Sequence, residues 1–217
     1  MGTVALVFTG GSAPTARALS GLPVPDIVIA ADSGLHHAAA AGYRVDVVVG
    51  DLDSADPVAV EAAVAAGASI ERHPTAKDAT DLELALFAAR DRECTRALLI
   101  GGAGGRLDHF LANVLVLASP DLSGLEIEAR LAGARVIVVR DDCTLHAAVG
   151  HLCTLLPVGG PAIGVRTEGL EFPLRRETLW AGSTRGVSNT FLGDTARVTL
   201  DDGALLVVLP DEVEVAS

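Results

Sequence analysis

The chain has 217 residues, half of them hydrophobic, and a formal net charge of -12 at pH 7. This length and hydrophobic content suffice for one sizeable core or two small ones, and they exclude a largely disordered chain. The acidic balance argues against nucleic acid or an anionic membrane surface as the main partner.

The cysteines and the N-terminus point to the compartment. Cys94, Cys143 and Cys153 form no C-x-x-C pair, so neither a disulfide framework nor a zinc site is indicated. The opening MGTVALVFTGGSAP lacks the basic segment of a signal peptide, and no apolar stretch approaches the length of a transmembrane helix. We therefore expect a soluble cytoplasmic protein.

Strand-like and helix-like segments alternate from the start to about residue 130. Short apolar runs rich in β-branched residues predict strands buried on both faces, at Val4–Thr9, Ile27–Ala31, Val45–Val49 and Ala97–Ile100. Apolar spacing and capping residues predict helices over Pro57–Ala66 (with Asp56 as N-cap), Asp81–Arg90 (after Thr80) and Asp108–Leu117. Such alternation is typical of βαβ units around a mostly parallel sheet.

The pattern changes near residue 132. Short apolar runs are now separated by Gly, Pro and Asp turns, at Val136–Val139, Ala162–Val165, Ala196–Leu200 and Leu205–Leu209. Runs of this kind without a long helical period predict a small antiparallel sandwich or barrel. We therefore predict an α/β domain with a mostly parallel sheet over residues 1–132, followed by a smaller all-β domain, an antiparallel sandwich, over residues 133–217.

Acidic residues follow two of the predicted strands. Asp32 comes after Ile27–Ala31, and Asp51 and Asp53 come after Val45–Val49 in the sequence VVGDLDS. Ligands of open parallel sheets bind beyond the carboxyl ends of the strands, so these acids are expected to converge. Carboxylates one residue apart repel each other unless a cation or a helix end compensates them, and grouped carboxylates suit magnesium. A lone DxD is also compatible with a polar turn.

Two further segments carry charge near a predicted helix start. Asp78 and Asp81 lie beside Thr80, where they could equally be ordinary helix caps. Lys77 is the only lysine, and its compact charge suits a phosphate, although a solvated side chain is the simpler alternative.

A glycine-rich run, GGAGGR at residues 101–106, follows the strand Ala97–Ile100. Glycines let backbone amides approach a phosphate, and the N-terminus of the following helix favours an anion. Arg106 could bind phosphate oxygens bidentately. The run matches neither a Walker A loop nor a Rossmann fingerprint, so a plain turn remains an alternative. His36, His37 and His109 lack metal-ligand spacing and are expected to be structural.

Four motifs stand in one order: GDLDS (50–54), KDATDLELAL (77–86), GGAGGRLDHFLAN (101–113) and GSTRGVSN (182–189). Their order and spacing resemble the thiamine pyrophosphokinase family, and the resemblance covers nearly the whole chain. It implies a homodimer whose subunits pair an N-terminal α/β domain with a C-terminal β-sandwich, with active sites shared between subunits. It also implies transfer of pyrophosphate from ATP to the hydroxyl of thiamine, with release of AMP.

The resemblance carries residue roles with it. Asp51, Asp53 and Asp81 match the family's magnesium-binding acids, and Asp108 joins them in the catalytic set that we predict. The residues expected to bind the substrates are Asp32, Lys77, Asp78, Gly104, Gly105, Arg106, Ser188 and Asn189.

The chain departs from the family at aromatic positions. Leu52 stands where an aromatic residue is common, and Phe172 stands where some members have Trp, so the residue that stacks on thiamine is left open. Trp180 is an alternative, but a lone Trp in a β domain is expected in the core.

The expected chemistry is attack by an alcohol on the β-phosphorus, accelerated by charge neutralisation and in-line positioning. The general base is left open: an acid of the cluster could take the hydroxyl proton, or proton loss could be late and need no base.

Three alternatives remain at this point: the same chemistry on another heterocyclic alcohol such as a hydroxymethylpterin, an inactive nucleotide-binding regulatory module, and a DxD phosphatase. The last would be expected to carry an Asp after the first strand, which here ends in Thr9-Gly10-Gly11.

Overall fold

The computed structural model describes residues 2–74 and 78–211. The chain divides into two compact units, with the boundary between Ala132 and Gly133. Within the described residues, no helix is both long and apolar enough to cross a bilayer.

The first unit is an α/β unit. Its strands are β1 (Val4–Phe8), β2 (Ile27–Ala31), β3 (Val47–Gly50), β4 (Ser69–Arg72), β5 (Arg96–Ile100) and β6 (Glu126–Leu131). Its helices are α1 (Ala16–Leu19), α2 (Gly34–Ala40), α3 (Pro57–Ala65), α4 (Asp81–Asp91) and α5 (Leu107–Val116), followed by a 3-10 turn at Pro120–Leu122.

The strands of this unit lie in the order β6-β5-β1-β2-β3-β4, and every neighbouring pair is parallel. The central strands are buried on both faces, which explains their near-continuous apolar sequences. Helix α4 packs on β2 and β3, and α2 packs on β1 and β2. The predicted α/β class with a mostly parallel sheet is confirmed.

Side-chain caps fix the starts of α3 and α4. The Asp56 carboxylate accepts from the Val58 N–H at 3.0 Å and starts α3, whose first residue is a proline. The Thr80 hydroxyl accepts from the Glu83 N–H at 3.2 Å and starts α4, which puts Asp81 in its first turn. Both caps were predicted, and Thr80 sets the position of a candidate site residue.

The second unit contains two antiparallel sheets. Its strands are β7 (Ala134–Val139), β8 (Asp142–His146), β9 (Leu152–Pro157), β10 (Ala162–Glu168), β11 (Arg175–Leu179), β12 (Asn189–Thr190), β13 (Thr195–Thr199) and β14 (Leu205–Pro210). They form the orders β12-β9-β14-β7 and β11-β10-β13-β8.

A single apolar core joins the two sheets of this unit. Buried residues come from both, including Leu155 and Val207 of one sheet and Leu145, Val165 and Val198 of the other. Alternate residues of these strands therefore point inward, as in a sandwich. The predicted antiparallel all-β architecture is confirmed.

Candidate active site

Three acidic side chains converge beyond the ends of adjacent parallel strands. Asp32 directly follows β2, Asp51 directly follows β3, and Asp53 lies two residues beyond Asp51. Carboxylate oxygens of the three lie within 4.8 Å of one another. The sheet therefore assembles a carboxylate cluster, hereafter the acidic cluster (Asp32, Asp51, Asp53), at the edge where strand order predicts ligands.

A fourth acid, Asp81, approaches this cluster past Gly50. A Cβ atom added to Gly50 would stand 2.9 Å from Asp81 Oδ1 and 3.3 Å from Asp32 Cβ. Gly50 also has a φ of 144°, which side-chain-bearing residues rarely adopt. Glycine at this position leaves room for Asp32, after the end of β2, and Asp81, at the start of α4, to lie close together. Gly50 belongs to the GDLDS motif, but the sequence alone did not predict this role.

Asp32 is the electrostatically strained member of the cluster. Burial raises its carboxyl pKa above the ordinary value, and the nearby Asp81, Asp51 and Asp53 raise it further, against one lowering hydrogen bond from Ser33. Among the described residues, its buried Oδ1 has no hydrogen-bond partner. A buried carboxylate oxygen of this kind, facing other carboxylates, fits a bound cation.

The DxD turn is shaped by its own hydrogen bonds. Asp51 Oδ1 accepts from the Asp53 N–H at 3.1 Å, and Asp53 Oδ1 accepts from the Ser54 hydroxyl at 3.0 Å. Leu52, between the two acids, has a left-handed φ of 65°. This turn holds both carboxylates near one point.

The glycine-rich run is hydrogen-bonded to the loop after β1, which was not predicted to belong to the site. The loop after β1 meets it through main-chain atoms: the Ser12 N–H donates to the Ala103 oxygen at 2.7 Å, and the Gly102 N–H donates to the Gly10 oxygen at 3.0 Å. A Cβ added to Gly11 would lie 2.3 Å from that Ala103 oxygen. The sequence signal was the pair Gly10-Gly11 at the end of the first strand.

The amides of Gly104 and Gly105 are available to a ligand. Gly104 and Gly105 both have positive φ values, 85° and 72°. Within residues 2–74 and 78–211, no hydrogen bond uses their N–H groups. They precede the N-terminus of α5, a combination that favours phosphate binding.

Arg106 and Asp108 form an exposed pair beside this run. Arg106 Nε donates to Asp108 Oδ1 at 3.1 Å, and a second bond joins Arg106 Nη2 to Asp108 Oδ2. The Arg106 hydrogen bond lowers the pKa of Asp108, and the same bond raises the pKa of Arg106. Asp108 therefore stays ionised beside the arginine at neutral pH.

One cavity of about 560 Å³ is lined by six of the twelve predicted site residues. Its wall includes Asp32, Asp51, Asp81, Gly104, Gly105 and Arg106. Asp53, Asp78 and Asp108 are not part of that wall. It also includes residues that were not predicted to bind substrates: Gly10, Gly11, Ser33, His109 and Asn113. Acids and anion-binding groups therefore share one cleft.

The other charged residues and histidines singled out in the sequence have different surroundings. Lys77 lies outside the described residues, and Asp78 is exposed. His36 and His37 have structural partners: His36 Nε2 accepts from the Asp56 N–H at 3.1 Å, and His37 Nδ1 lies 2.9 Å from the Thr9 oxygen.

Ser188 and Asn189 differ in their surroundings within the second unit. Ser188 is exposed, and its N–H donates to Thr154 Oγ1 at 3.1 Å. Asn189 is only 5% exposed, and its side-chain amide bonds to the main chain of Phe172. Their assignment to substrate binding stays a prediction.

Trp180 is 65% exposed, so the expectation that it lies in the core is wrong. It directly follows Leu179, which is buried at the end of β11, and successive residues of an extended chain point to opposite faces. Phe172 is also exposed, at 54%. Both aromatic side chains are therefore open to solvent in this unit.

Family models match most of the chain. Residues 23–129 match "Thiamin pyrophosphokinase, catalytic domain", and residues 141–205 match "Thiamin pyrophosphokinase, vitamin B1 binding domain".

Individual proteins agree with these models. The chain is similar to "Thiamine pyrophosphokinase 1" of Oryza sativa subsp. japonica, at 27% identity over 186 residues; this spans 76% of the chain but 66% of the relative's own length. Among solved structures, it is similar to the thiamine pyrophosphokinase from Bacillus subtilis, with a TM-score of 0.81, 22% identity and coverage of 97% of this chain and 100% of that one. The thiamin pyrophosphokinase from Candida albicans has a TM-score of 0.79, 15% identity and coverage of 97% and 90%.

Proposed function

Because the chain belongs to the thiamine pyrophosphokinase family, we propose that it transfers pyrophosphate from ATP to the hydroxyl of thiamine, giving thiamine diphosphate and AMP. The observation that carries this proposal is the single cleft in which three acids, Asp32, Asp51 and Asp81, face a glycine loop and an arginine. Carboxylates beside anion-binding groups suit a nucleotide bound with a metal ion, since the acids alone would repel a triphosphate.

The residues fit magnesium as the metal. Asp51, Asp53 and Asp81 would hold it, and Asp32 adds a buried oxygen without a hydrogen-bond partner among the described residues. A bound magnesium ion would neutralise phosphate charge as the reaction proceeds.

The protein's own groups would bind and align the nucleotide. The N–H groups of Gly104 and Gly105 would donate hydrogen bonds to phosphate oxygens, and Arg106, beside Asp108, would bind further oxygens as a fork. Lys77 would supply a second cation from the segment before α4. With the phosphates fixed, the thiamine hydroxyl can attack the β-phosphorus in line, which is the main requirement of phosphoryl transfer.

Thiamine would contact the second unit. The match of residues 141–205 to a vitamin B1 binding domain supports thiamine over a hydroxymethylpterin. Ser188 lies exposed in that stretch, beside the buried Asn189.

A homodimer with shared sites is part of the proposal. Leu107, Leu111 and Leu115 of α5 recur every four residues, and they are 71%, 49% and 57% exposed. They form an apolar stripe on one side of a helix whose other residues Phe110 and Asn113 line the cleft. A second subunit that packed on this stripe would lie next to the cleft. The proposed compartment is the cytoplasm, where ATP is available.

The test of the reaction is incubation with ATP, magnesium and thiamine, followed by chromatography of the products. Thiamine diphosphate with AMP supports the proposal, whereas thiamine monophosphate with ADP contradicts it because a single phosphoryl group has then moved. A parallel incubation with a hydroxymethylpterin tests the alternative substrate.

The test of assembly is subunit exchange. Asp51→Asn protein and Asn189→Ala protein are mixed, unfolded mildly and refolded, and their rates are measured at low thiamine concentration. Mixed dimers with shared sites contain one site without either change and should be more active than both parents. Mixed dimers no more active than the parents would contradict shared sites.

A further inference from the structure

Two segments of the second unit are joined by a short antiparallel ladder. The Leu192 N–H donates to the Gly169 oxygen at 2.9 Å, and the Glu171 N–H donates to the Thr190 oxygen at 2.9 Å. Between these bonds, Leu170 and Phe191 form an isolated bridge. The segment 169–172 is thus paired residue by residue with the segment 189–192.

The last rung of this ladder is made by a side chain. Asn189 Oδ1 accepts from the Phe172 N–H at 2.9 Å, and Asn189 Nδ2 donates to the Phe172 oxygen at 2.8 Å. The same Oδ1 accepts from the Thr190 N–H at 2.9 Å. The amide of Asn189 therefore pairs with Phe172 as a backbone peptide group would, and both lone pairs of its oxygen are in use.

Other contacts fix the Phe172 main chain from its far side. Pro173 follows it, and a residue before proline is restricted to extended conformations. The next residue, Leu174, donates its N–H to the buried Thr167 Oγ1 at 2.8 Å. The backbone of Phe172 is thus held between Asn189 and Thr167.

The ring carried by this fixed backbone points into solvent, with 54% of the residue exposed. An exposed apolar ring adds nothing to folding stability, whereas a ring carried by a fixed backbone is suited to receive a flat ligand ring. The ring of thiamine that carries the positive charge would gain additional attraction from the aromatic face.

We infer that Asn189 is a positioning residue: its amide holds Phe172 as a platform for the ring of the alcohol substrate and does not itself bind that substrate. The inference rests on the proposed function. It assigns the Phe172 ring the contact with thiamine, and it assigns Asn189 an effect that passes through Phe172 alone.

A double-mutant cycle on the KM for thiamine tests the inference in the full-length enzyme. Phe172→Ala should raise this KM about tenfold and leave the KM for ATP unchanged. Asn189→Ala should also raise the KM for thiamine, but in the Phe172→Ala background it should have no further effect, because the platform is already gone. Equal effects of Asn189→Ala in both backgrounds would overturn the inference.

Two further variants serve as controls for the double-mutant cycle. Asn189→Asp keeps Oδ1 as the acceptor of both N–H groups but replaces the donor to the Phe172 oxygen with a carboxylate oxygen that repels it. It therefore also breaks the pairing with Phe172 and serves if Asn189→Ala does not fold, under the same criterion. Thr190→Val removes the bond from Thr190 Oγ1 to Glu171 Oε2 at 2.6 Å, one residue away, and should leave the KM for thiamine unchanged. An increase for Thr190→Val that matched the increase for Asn189→Ala would show that any loosening of the ladder suffices, and would also overturn the inference.

The product assay separates this inference from the proposed function. A wild-type enzyme that makes no thiamine diphosphate refutes the proposed function. A wild-type enzyme that makes it, with additive effects of the two substitutions, refutes only the role of Asn189.

Discussion

Replacing Gly50 by alanine should impair the acidic cluster more than it impairs folding. The added Cβ would lie 2.9 Å from Asp81 Oδ1, whereas ordinary contact begins at 3.4 Å, so that oxygen must move by about 0.5 Å. The added methyl group cannot avoid Asp81 by moving towards Asp32, because it would already lie 3.3 Å from Asp32 Cβ. The perturbation therefore falls on two acids of the site.

Gly50→Ala should lower both the folding stability and kcat, for different reasons. A φ of 144° costs alanine about 1–3 kcal/mol of folding stability, and each kcal/mol lowers the Tm by roughly 2–4 °C in a chain of this size. Catalytic groups lose roughly 100-fold in rate for a displacement of about 1 Å, so about 0.5 Å corresponds to about tenfold in kcat.

The assay is the initial rate of thiamine diphosphate formation at saturating ATP and magnesium, with the Tm measured on the same samples. Gly67→Ala is the matched control, because Gly67 has a φ of 101° and an added Cβ there would meet no atom within 4 Å. Both variants should lose comparable stability, but only Gly50→Ala should lose kcat. Equal kcat values for the two variants would refute the role given to Gly50.

Three further substitutions test the site and the scaffold. Asp51→Asn should reduce kcat by at least about 100-fold with a nearly unchanged Tm, because it removes a ligand and no core packing; a large drop in Tm would indicate a structural role instead. Arg106→Lys should raise the KM for ATP by about tenfold, since lysine keeps the charge but loses the fork; an unchanged KM would exclude a bidentate contact. Asp201→Asn should lower the Tm at neutral pH but not in strong acid. Hydrogen bonds from Arg166 and Arg176 lower the pKa of Asp201. The stabilisation from this carboxylate is therefore present above the ordinary pKa of 3.8 and disappears as the pH falls through the lowered pKa. Thermal unfolding of both proteins across acidic pH measures this, and a pH-independent difference would contradict it.

Sequence patterns predicted the elements whose burial is uniform. Strand β2 was predicted with its observed bounds, and α3 within one residue, because a continuous apolar run and a clear N-cap each leave few alternatives. Strands β4 and β6 of the first unit were missed, as were β8, β9, β11 and β12 of the second. Strand β4 lies at the edge of its sheet and has the polar sequence SIER, and β6 has the charged sequence EIEARL, so neither resembles a fully buried strand.

The site was predictable where it depends on strand ends. The positions of Asp32 and Asp51 follow from the rule that acids after parallel strands share an edge. The role of Gly50 was not predictable, because it depends on how closely α4 approaches β3 in space. The surroundings of Asn189 were equally hidden, since a buried amide and an exposed one have the same letter in a sequence.

The main-chain contact between the loops after β1 and β5 bears on protein engineering. Because Gly10 and Gly11 face Ala103 and Gly102 without intervening side chains, each loop packs directly against the main chain of the other. Neither loop can be transplanted or recombined alone without leaving its counterpart unsupported. A chimera that exchanges either loop must therefore exchange residues 9–12 and 101–105 together, although they are far apart in the sequence.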